Sequence, residues 1–289
     1  MSVYIHGGLR SPIGVLNGQY KHMRPEILGS QVIDEIINRY TISHIDGIFC
    51  GNAVGTGGNL GRLMGLMCNL PNSVPAITVD MQCASALMSI EIAYAHIVSG
   101  IMDSAIAGGI ESSSLQPERV YASGDDREGP YKVAQFTPQD QSPLAMLKGA
   151  ERTIHKYNVT KEDLYPHIIG SHQRASAALD NPYLQSYIMP ITIDGKRCID
   201  ECIRPTMNEK LLSRMKPLLG ADSITNAGNA CLTHDGAAFV YLSNKKGPFK
   251  IHSVKPWARN PQFSPEGALE STEAILKRTG LTMDDIDVV

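Results

Sequence analysis

Apolar positions in the first 112 residues switch between two periods. Val3 to Leu9 alternates like a strand and runs into Arg10-Ser11-Pro12-Ile13-Gly14, a turn signal. Ile27, Leu28, Val32, Ile33, Ile36 and Ile37 then recur at helical spacing. Residues 45–54 read as a buried strand closed by Gly55, Gly57 and Gly58, and residues 61–70 as a helix stopped by Pro71. A short strand is predicted over 76–81. Residues 83–98 form a long helix rich in Ala and Ser, ended by Gly100. That helix is apolar on nearly every face, which predicts a buried element. Residues 104–110 are again strand-like and contain Gly108 and Gly109. This alternation predicts βαβ units and a largely parallel sheet.

The pattern changes near Ser112. From there to about Asn226 the chain is rich in Pro, Asp, Gln and Tyr, and strand signals fade. The stretch is too long for a structureless loop, so it is read as a subdomain. Two helices are predicted within it, over 142–157 and 161–179. The second opens with Thr160-Lys161-Glu162-Asp163, close to a capping box. A strand pattern returns over 236–243. An internal repeat follows: Val3-Tyr4-Ile5-His6 is echoed by Phe249-Lys250-Ile251-His252, the helix 30–39 by 269–278, and Ile45-Asp46-Gly47-Ile48-Phe49 by Ile286-Asp287-Val288-Val289. The domain reading is therefore a first half (1–112 plus 225–248), an inserted loop domain (113–224), and the start of a second half (249–289). A repeated half that breaks off in a strand leaves a sheet edge uncovered. The expectation is a chain shorter than the fold its own pattern implies.

Composition narrows the function classes. The 289 residues carry 26 Lys+Arg against 29 Asp+Glu, a formal net charge of −3. That balance gives no general attraction to nucleic acid or an anionic membrane. No apolar run approaches the ~18 residues of a membrane span. The N-terminus enters Val3-Tyr4-Ile5-His6 directly, without a signal-peptide pattern. Six scattered cysteines give no secreted-domain framework, so a cytoplasmic, reducing setting is expected. The class left is an α/β or α+β globule, an enzyme or a piece of one.

Cys83 is the most informative residue. It follows a predicted strand and opens a predicted helix, whose first N–H groups and positive dipole end favour thiolate over thiol. A nucleophile on a strand-to-helix turn sits at the end of a sheet, where α/β folds bind substrates. Its neighbours Ala84, Ser85 and Ala86 are small enough for close approach. The residues alone leave a second reading open, a buried cysteine acting as a small hydrophobe.

Met81-Gln82-Cys83-Ala84-Ser85-Ala86-Leu87 resembles the nucleophile motif of the thiolase family, C-[AG]-S-G-L. Four further segments agree. Arg10-Ser11-Pro12-Ile13-Gly14 resembles R-[ST]-P-[IF]-G, and Gly58-Asn59-Leu60-Gly61-Arg62 resembles G-Q-x-x-A-R. Ala107-Gly108-Gly109-Ile110-Glu111-Ser112-Ser113-Ser114 resembles A-G-G-x-E-S-M-S. Asn226-Ala227-Gly228-Asn229-Ala230-Cys231 with Asp235-Gly236-Ala237-Ala238 resembles T-A-G-N-A-S-x-x-x-D-G-A-A. The likeness runs over the whole chain. It implies the layered αβαβα thiolase fold, its first half complete with the inserted loop domain and its second half incomplete.

The resemblance also implies chemistry. Cys83 would take an acyl group from a coenzyme A thioester, its backbone N–H joining an oxyanion hole. Arg204 would lie along the nucleotide end of CoA and Met146 would line the acyl pocket. Ala227, Gly228 and Cys231 would lie along the substrate, with Cys231 where the family usually has a serine. Ala86, in place of the usual glycine, is expected to narrow the space beside Cys83. The implied activity is acyl-CoA C-acyl transfer in lipid metabolism, by condensation or thiolytic cleavage. It needs no metal and no cofactor beyond the CoA substrates, in a homodimer or homotetramer without nucleic-acid or membrane partners. The family's N-E-A-F segment, G-H-P histidine and C-x-G acid/base cysteine do not occur in this sequence, so little or no thiolysis is expected of this chain alone. Three alternatives stay open: a non-catalytic thiolase-like protein binding CoA or a partner, a β-ketoacyl synthase relative, and a zinc site from Cys198, Cys202, Cys231 and His234.

Overall fold

A computed structural model describes residues 1–288. In chain order its elements are β1 (Tyr4–Arg10), β2 (Gly14–Val15), α1 (Pro25–Arg39), β3 (Gly47–Gly51), α2 (Leu60–Gly65), β4 (Ala76–Val79), α3 (Ser85–Val98) and β5 (Ser104–Ser112). Then come β6 (Arg119–Val120), β7 (Pro130–Tyr131), α4 (Ala145–Lys156), α5 (Lys161–Ala178), α6 (Pro182–Gln185), β8 (Thr192–Ile193), β9 (Lys196–Arg197) and α7 (Glu209–Leu212). The chain continues through β10 (His234–Ser243), β11 (Phe249–Lys250) and α8 (Glu266–Thr279), with 3-10 turns at Pro261–Phe263 and Met283–Asp285.

The chain divides into two compact units. The first comprises Met1–Pro117, Ala178–Cys202 and Thr233–Ile251. Its seven-stranded sheet has the order β11-β1-β10-β5-β3-β4, with β2 beside β10. The sheet is mixed, where a largely parallel one was expected. β3 runs parallel to β4 and β5, but β10 runs antiparallel to both β5 and β1. Handedness and spacing rules predict parallel pairing only for strands joined by a helical crossover. β10 arrives after the long excursion and enters between β1 and β5.

Strand alternation explains why β3 and β5 read as continuous apolar runs. Ile106, Ile110, Ile48 and Cys50 face one cluster, with Leu28, Val32, Ile33 and Ile36 of α1 and Met64 of α2. Ala105, Ala107 and Phe49 face the other, with Ala93 and Ile97 of α3. Successive side chains point to opposite faces, and both faces are covered.

α3 differs from its expectation. Only the stripe Ser85, Ser89, Ala93 and Ile97 is buried, while Leu87 is 72% exposed. Residues four apart share one helix face. The sheet covers that face, so an all-apolar sequence here makes a one-sided contact.

The expected domain boundaries also shift. Residues 178–202 belong with the sheet, because Arg10 anchors them. Its backbone pairs with Tyr187 O (3.0 Å) and Met189 N (2.8 Å), and its guanidinium grips both Asp200 oxygens at 2.8 and 2.7 Å. Residues from His252 onward cluster instead in the second unit, with Glu118–Ala177 and Ile203–Leu232. There Lys156 of α4 pairs with Glu266 of α8 at 2.7 Å. The second unit's core holds Tyr165, Met207 and Leu212. The capping box before α5 forms as expected, with Thr160 N to Asp163 Oδ2 at 2.8 Å and Asp163 N to Thr160 Oγ1 at 3.1 Å. Residues 286–288 are not a strand, contrary to the repeat. A strand needs a neighbour for its backbone groups, and among the described residues none pairs with them. Val289, the last residue of that expected strand, lies outside the described residues. Among the described residues no helix is long and apolar enough to cross a membrane.

Candidate active site

The turn between β4 and α3 carries Cys83. β4 is an edge strand ending at Val79, and α3 begins at Ser85. Cys83 therefore precedes the helix by two residues and does not open it, as the sequence had suggested. The competing core reading also fails, because Cys83 is exposed.

The backbone before the thiol is strained and pinned. Gln82 has φ +52°. A side chain in the left-handed region costs on the order of 1 kcal/mol and persists only where neighbours enforce it. Here Gln82 N donates to Asp80 Oδ1 at 2.8 Å. Its carbonyl accepts from Ser85 Oγ at 2.6 Å and from Ser85 N at 3.0 Å. Ser85 Oγ in turn accepts from Met81 N at 2.8 Å.

Ser85 thus holds both sides of the turn, a role that reading it as merely small misses. The signal is in the sequence: a serine at a helix start commonly captures nearby backbone groups. Ser85→Ala is expected to lower unfolding free energy by about 1 kcal/mol, because the part-buried Met81 N loses its acceptor while the Gln82 carbonyl keeps only the Ser85 N–H. Urea denaturation measures this, and an unchanged midpoint would sink the assignment.

Two glycines let the helix start sit on the sheet. Gly51 of β3 and Gly109 of β5 are register partners. A methyl on Gly51 would lie 2.6 Å from both Ala86 N and Ser85 C. One on Gly109 would lie 2.9 Å from Gly51 O and 3.2 Å from Ala86 Cβ. The Ala86 methyl is directed at Gly109, so it fills the gap beneath the helix.

The other candidate residues fall in the second unit. Met146 is on α4 and 43% exposed. Glu151 of the same helix accepts from Ile224 N (2.8 Å), Thr225 N (3.0 Å) and Ser223 Oγ (3.0 Å). Burial opposes its ionisation, but these donors hold the carboxyl below its usual range. The loop carrying Ala227, Gly228 and Cys231 follows directly. Asn226 Oδ1 accepts from Gly228 N at 2.8 Å, and Asn229 Oδ1 from Asn226 N at 2.8 Å. A methyl on Gly228 would meet Leu212 Cδ2 at 2.6 Å, so the loop lies against α7. Arg204 precedes α7 and is exposed, with its backbone N held by His172 Nδ1 at 3.2 Å. The second unit thus brings the helix of Met146 to the loop of Ala227, Gly228 and Cys231. Cys83 belongs to the first unit.

Among the described residues, no group of three or more His, Cys, Asp or Glu side chains is placed to hold a metal ion. Cys198 is buried, Cys202 half-buried and Cys231 exposed.

Comparison with known proteins places these motifs in context. The sequence profile of the thiolase N-terminal domain matches residues 3–246. A Staphylococcus epidermidis protein described as "Putative acetyl-CoA C-acetyltransferase VraB" is 31% identical over 300 aligned residues, covering 97% of this chain and 77% of the relative. A Staphylococcus aureus protein with the same description is 30% identical over 295, with the same coverage. A crystal structure of the Bacillus anthracis acetyl-CoA acetyltransferase superposes with a TM-score of 0.91 at 23% identity. It covers 99% of this chain and 78% of that one.

Proposed function

The chain belongs to the thiolase family, and from that premise we propose that it transfers acyl groups from coenzyme A thioesters through an acyl-cysteine at Cys83. The observation that carries the reading is the exposed thiol on a strained, pinned turn two residues before α3.

In the first step the Cys83 sulfur attacks the thioester carbonyl carbon. The new C–S bond forms, the bond to CoA sulfur breaks, and the proton leaving Cys83 ends on the departing CoA thiol. Charge develops on the carbonyl oxygen as the carbon becomes tetrahedral. The Cys83 backbone N–H is proposed to meet that charge, since a backbone donor is fixed in direction before the reaction begins. In the second step the acyl group passes to the α-carbon of another acyl-CoA, the acyl–Cys83 C–S bond breaking and the α-proton ending on the Cys83 sulfur. The G-H-P histidine and C-x-G cysteine that move this proton in the family do not occur in this sequence, so the chain alone is expected to carry out this step little or not at all. In the reverse direction it arrives from a 3-ketoacyl-CoA and leaves on CoA. Arg204, Met146, Ala227, Gly228 and Cys231 are proposed to hold the substrate. An exposed guanidinium suits a CoA phosphate.

The oligomer proposed is a homodimer or homotetramer. Exposed apolar side chains support it: Leu63 and Leu66 at α2, Ile77 on edge strand β4, and Leu87 on α3. An open edge beside apolar surface is a liability unless something covers it. Six scattered cysteines without a secreted-domain framework support a reducing, cytoplasmic setting.

The test is acylation. Incubation with acetyl-CoA followed by peptide mass analysis is expected to find one acetyl group on Cys83 and none after Cys83→Ala. CoA binding without an acetyl adduct would instead favour a non-catalytic thiolase-like protein.

A further inference from the structure

Glu111, at the end of β5, has no part in the steps above. Its carboxylate gathers a loop. Oε1 accepts from Asn52 Nδ2 at 2.8 Å, and Oε2 accepts from Ala53 N at 2.9 Å and Val54 N at 3.2 Å. Asn52 Nδ2 also donates to Ile110 O at 2.9 Å, and Asn52 Oδ1 accepts from Gly55 N at 3.0 Å. One carboxylate and one amide therefore close the turn that follows β3.

The contacts run on to the nucleophile. Asn52 N donates to Val79 O at 3.0 Å. Val79 is the last residue of β4, from which the Asp80–Ala84 turn hangs. Gly51, next to Asn52, is where the start of α3 rests. Moving the 52–55 turn would thus move the Cys83 turn at two places: the Val79 carbonyl and the seat under Ser85 and Ala86. Burial pushes the Glu111 carboxyl above the usual carboxylate range, against the pull of its donors. A carboxylate kept in such a place despite that cost is over-specified for closing a surface loop.

We propose that Glu111 is a positioning residue for Cys83, acting through Asn52 and Val79 to set the geometry of the nucleophile turn. The proposal rests on the reading of Cys83 as the nucleophile. It is carried by the hydrogen bonds from Glu111 to the 52–55 turn and from Asn52 N to Val79 O, four residues before Cys83, all within the first unit.

Iodoacetamide alkylation of the full chain tests it, with Cys231 as internal reference and Cys68 as reporter of sheet opening. Glu111→Gln keeps the size but loses the second acceptor for the Ala53 and Val54 N–H groups. It is expected to slow Cys83 alkylation about tenfold, with Cys231 unchanged and Cys68 still protected. A folded variant with an unchanged Cys83 rate overturns the proposal. A merely structural role would open Cys68 and leave Cys83 as fast as before, which also overturns it. Should Glu111→Gln loosen the sheet, Asn52→Ala decides by the same criteria, since it cuts the side-chain clasp and keeps the N–H to Val79. Alkylation does not require CoA. A wild-type chain that alkylates at Cys83 but never acetylates would sink the proposed function and leave the Glu111 result readable.

Discussion

Iodoacetamide at pH 7 is expected to label the exposed Cys83 at least about a hundredfold faster than the buried Cys50 or Cys68. Desolvation pushes the Cys50 thiol up to about 12, with the nearby Glu111 charge adding to it. Cys68 is also pushed up to about 12, by burial and then by Asp34. The thiolate is the attacking species, and a thiol held at about 12 keeps almost none of it near neutrality, before access is counted. Burial also raises Cys198. Raising the pH from 7 to 9 stays well below 12, so Cys50 and Cys68 should remain silent across that range. Prior incubation with acetyl-CoA should slow Cys83 by occupying its sulfur. Peptide mapping after timed quenching measures all six rates together. Uniform labelling would contradict the burial pattern, and Cys83 lagging the buried thiols would remove it as nucleophile.

Gly51→Ala should damage the protein more than any other single methyl named above. The added carbon would lie 2.6 Å from the Ala86 amide nitrogen and the Ser85 carbonyl carbon. Both belong to backbone, which cannot rotate away as a flexible side chain would. Overpacking typically costs about 1–3 kcal/mol, and backbone displacement puts this case at or above the upper end. A loss of about 3 kcal/mol corresponds to a drop in Tm of roughly 6–12 °C for a unit of this size. The helix start must lift from the sheet, so Cys83 alkylation should change along with stability. Gly109→Ala should act in the same direction but less, since its nearest contacts are 2.9 Å to Gly51 O and 3.2 Å to a methyl. Thermal unfolding of both variants checks the order. A Gly51→Ala protein as stable as wild type would show that α3 does not rest where the structure puts it.

Elements built from local spacing were legible. The helical period of residues 27–37 became α1, and the Thr160–Asp163 signal became a two-sided cap. Period two and period 3.6 are properties of a single segment, so one sequence window contains them. The Cys83 turn was half legible. Its residues marked Cys83, but the helix start lay two residues further on, and the helix itself proved open on one side. Whether an apolar helix is buried depends on what lies against its other faces, which its own sequence does not state. The direction of the Ala86 methyl needed the register of Gly51 with Gly109. The role of Glu111 needed the loop that β3 brings beside it.

From sequence alone came the family, Cys83 as the candidate nucleophile, and the helices and strands of the first hundred residues. These follow from side-chain periodicity and short motifs, which act over a few neighbouring residues. Only the tertiary structure decided that β10 enters antiparallel between β1 and β5, that Arg10 draws residues 178–202 back to the sheet, that Ser85 pins the Cys83 turn, and that Glu111 gathers the 52–55 turn. Those outcomes depend on hydrogen bonds and close contacts between segments far apart in the chain. Their strength comes from distance and direction in space, quantities that the order of residues does not record.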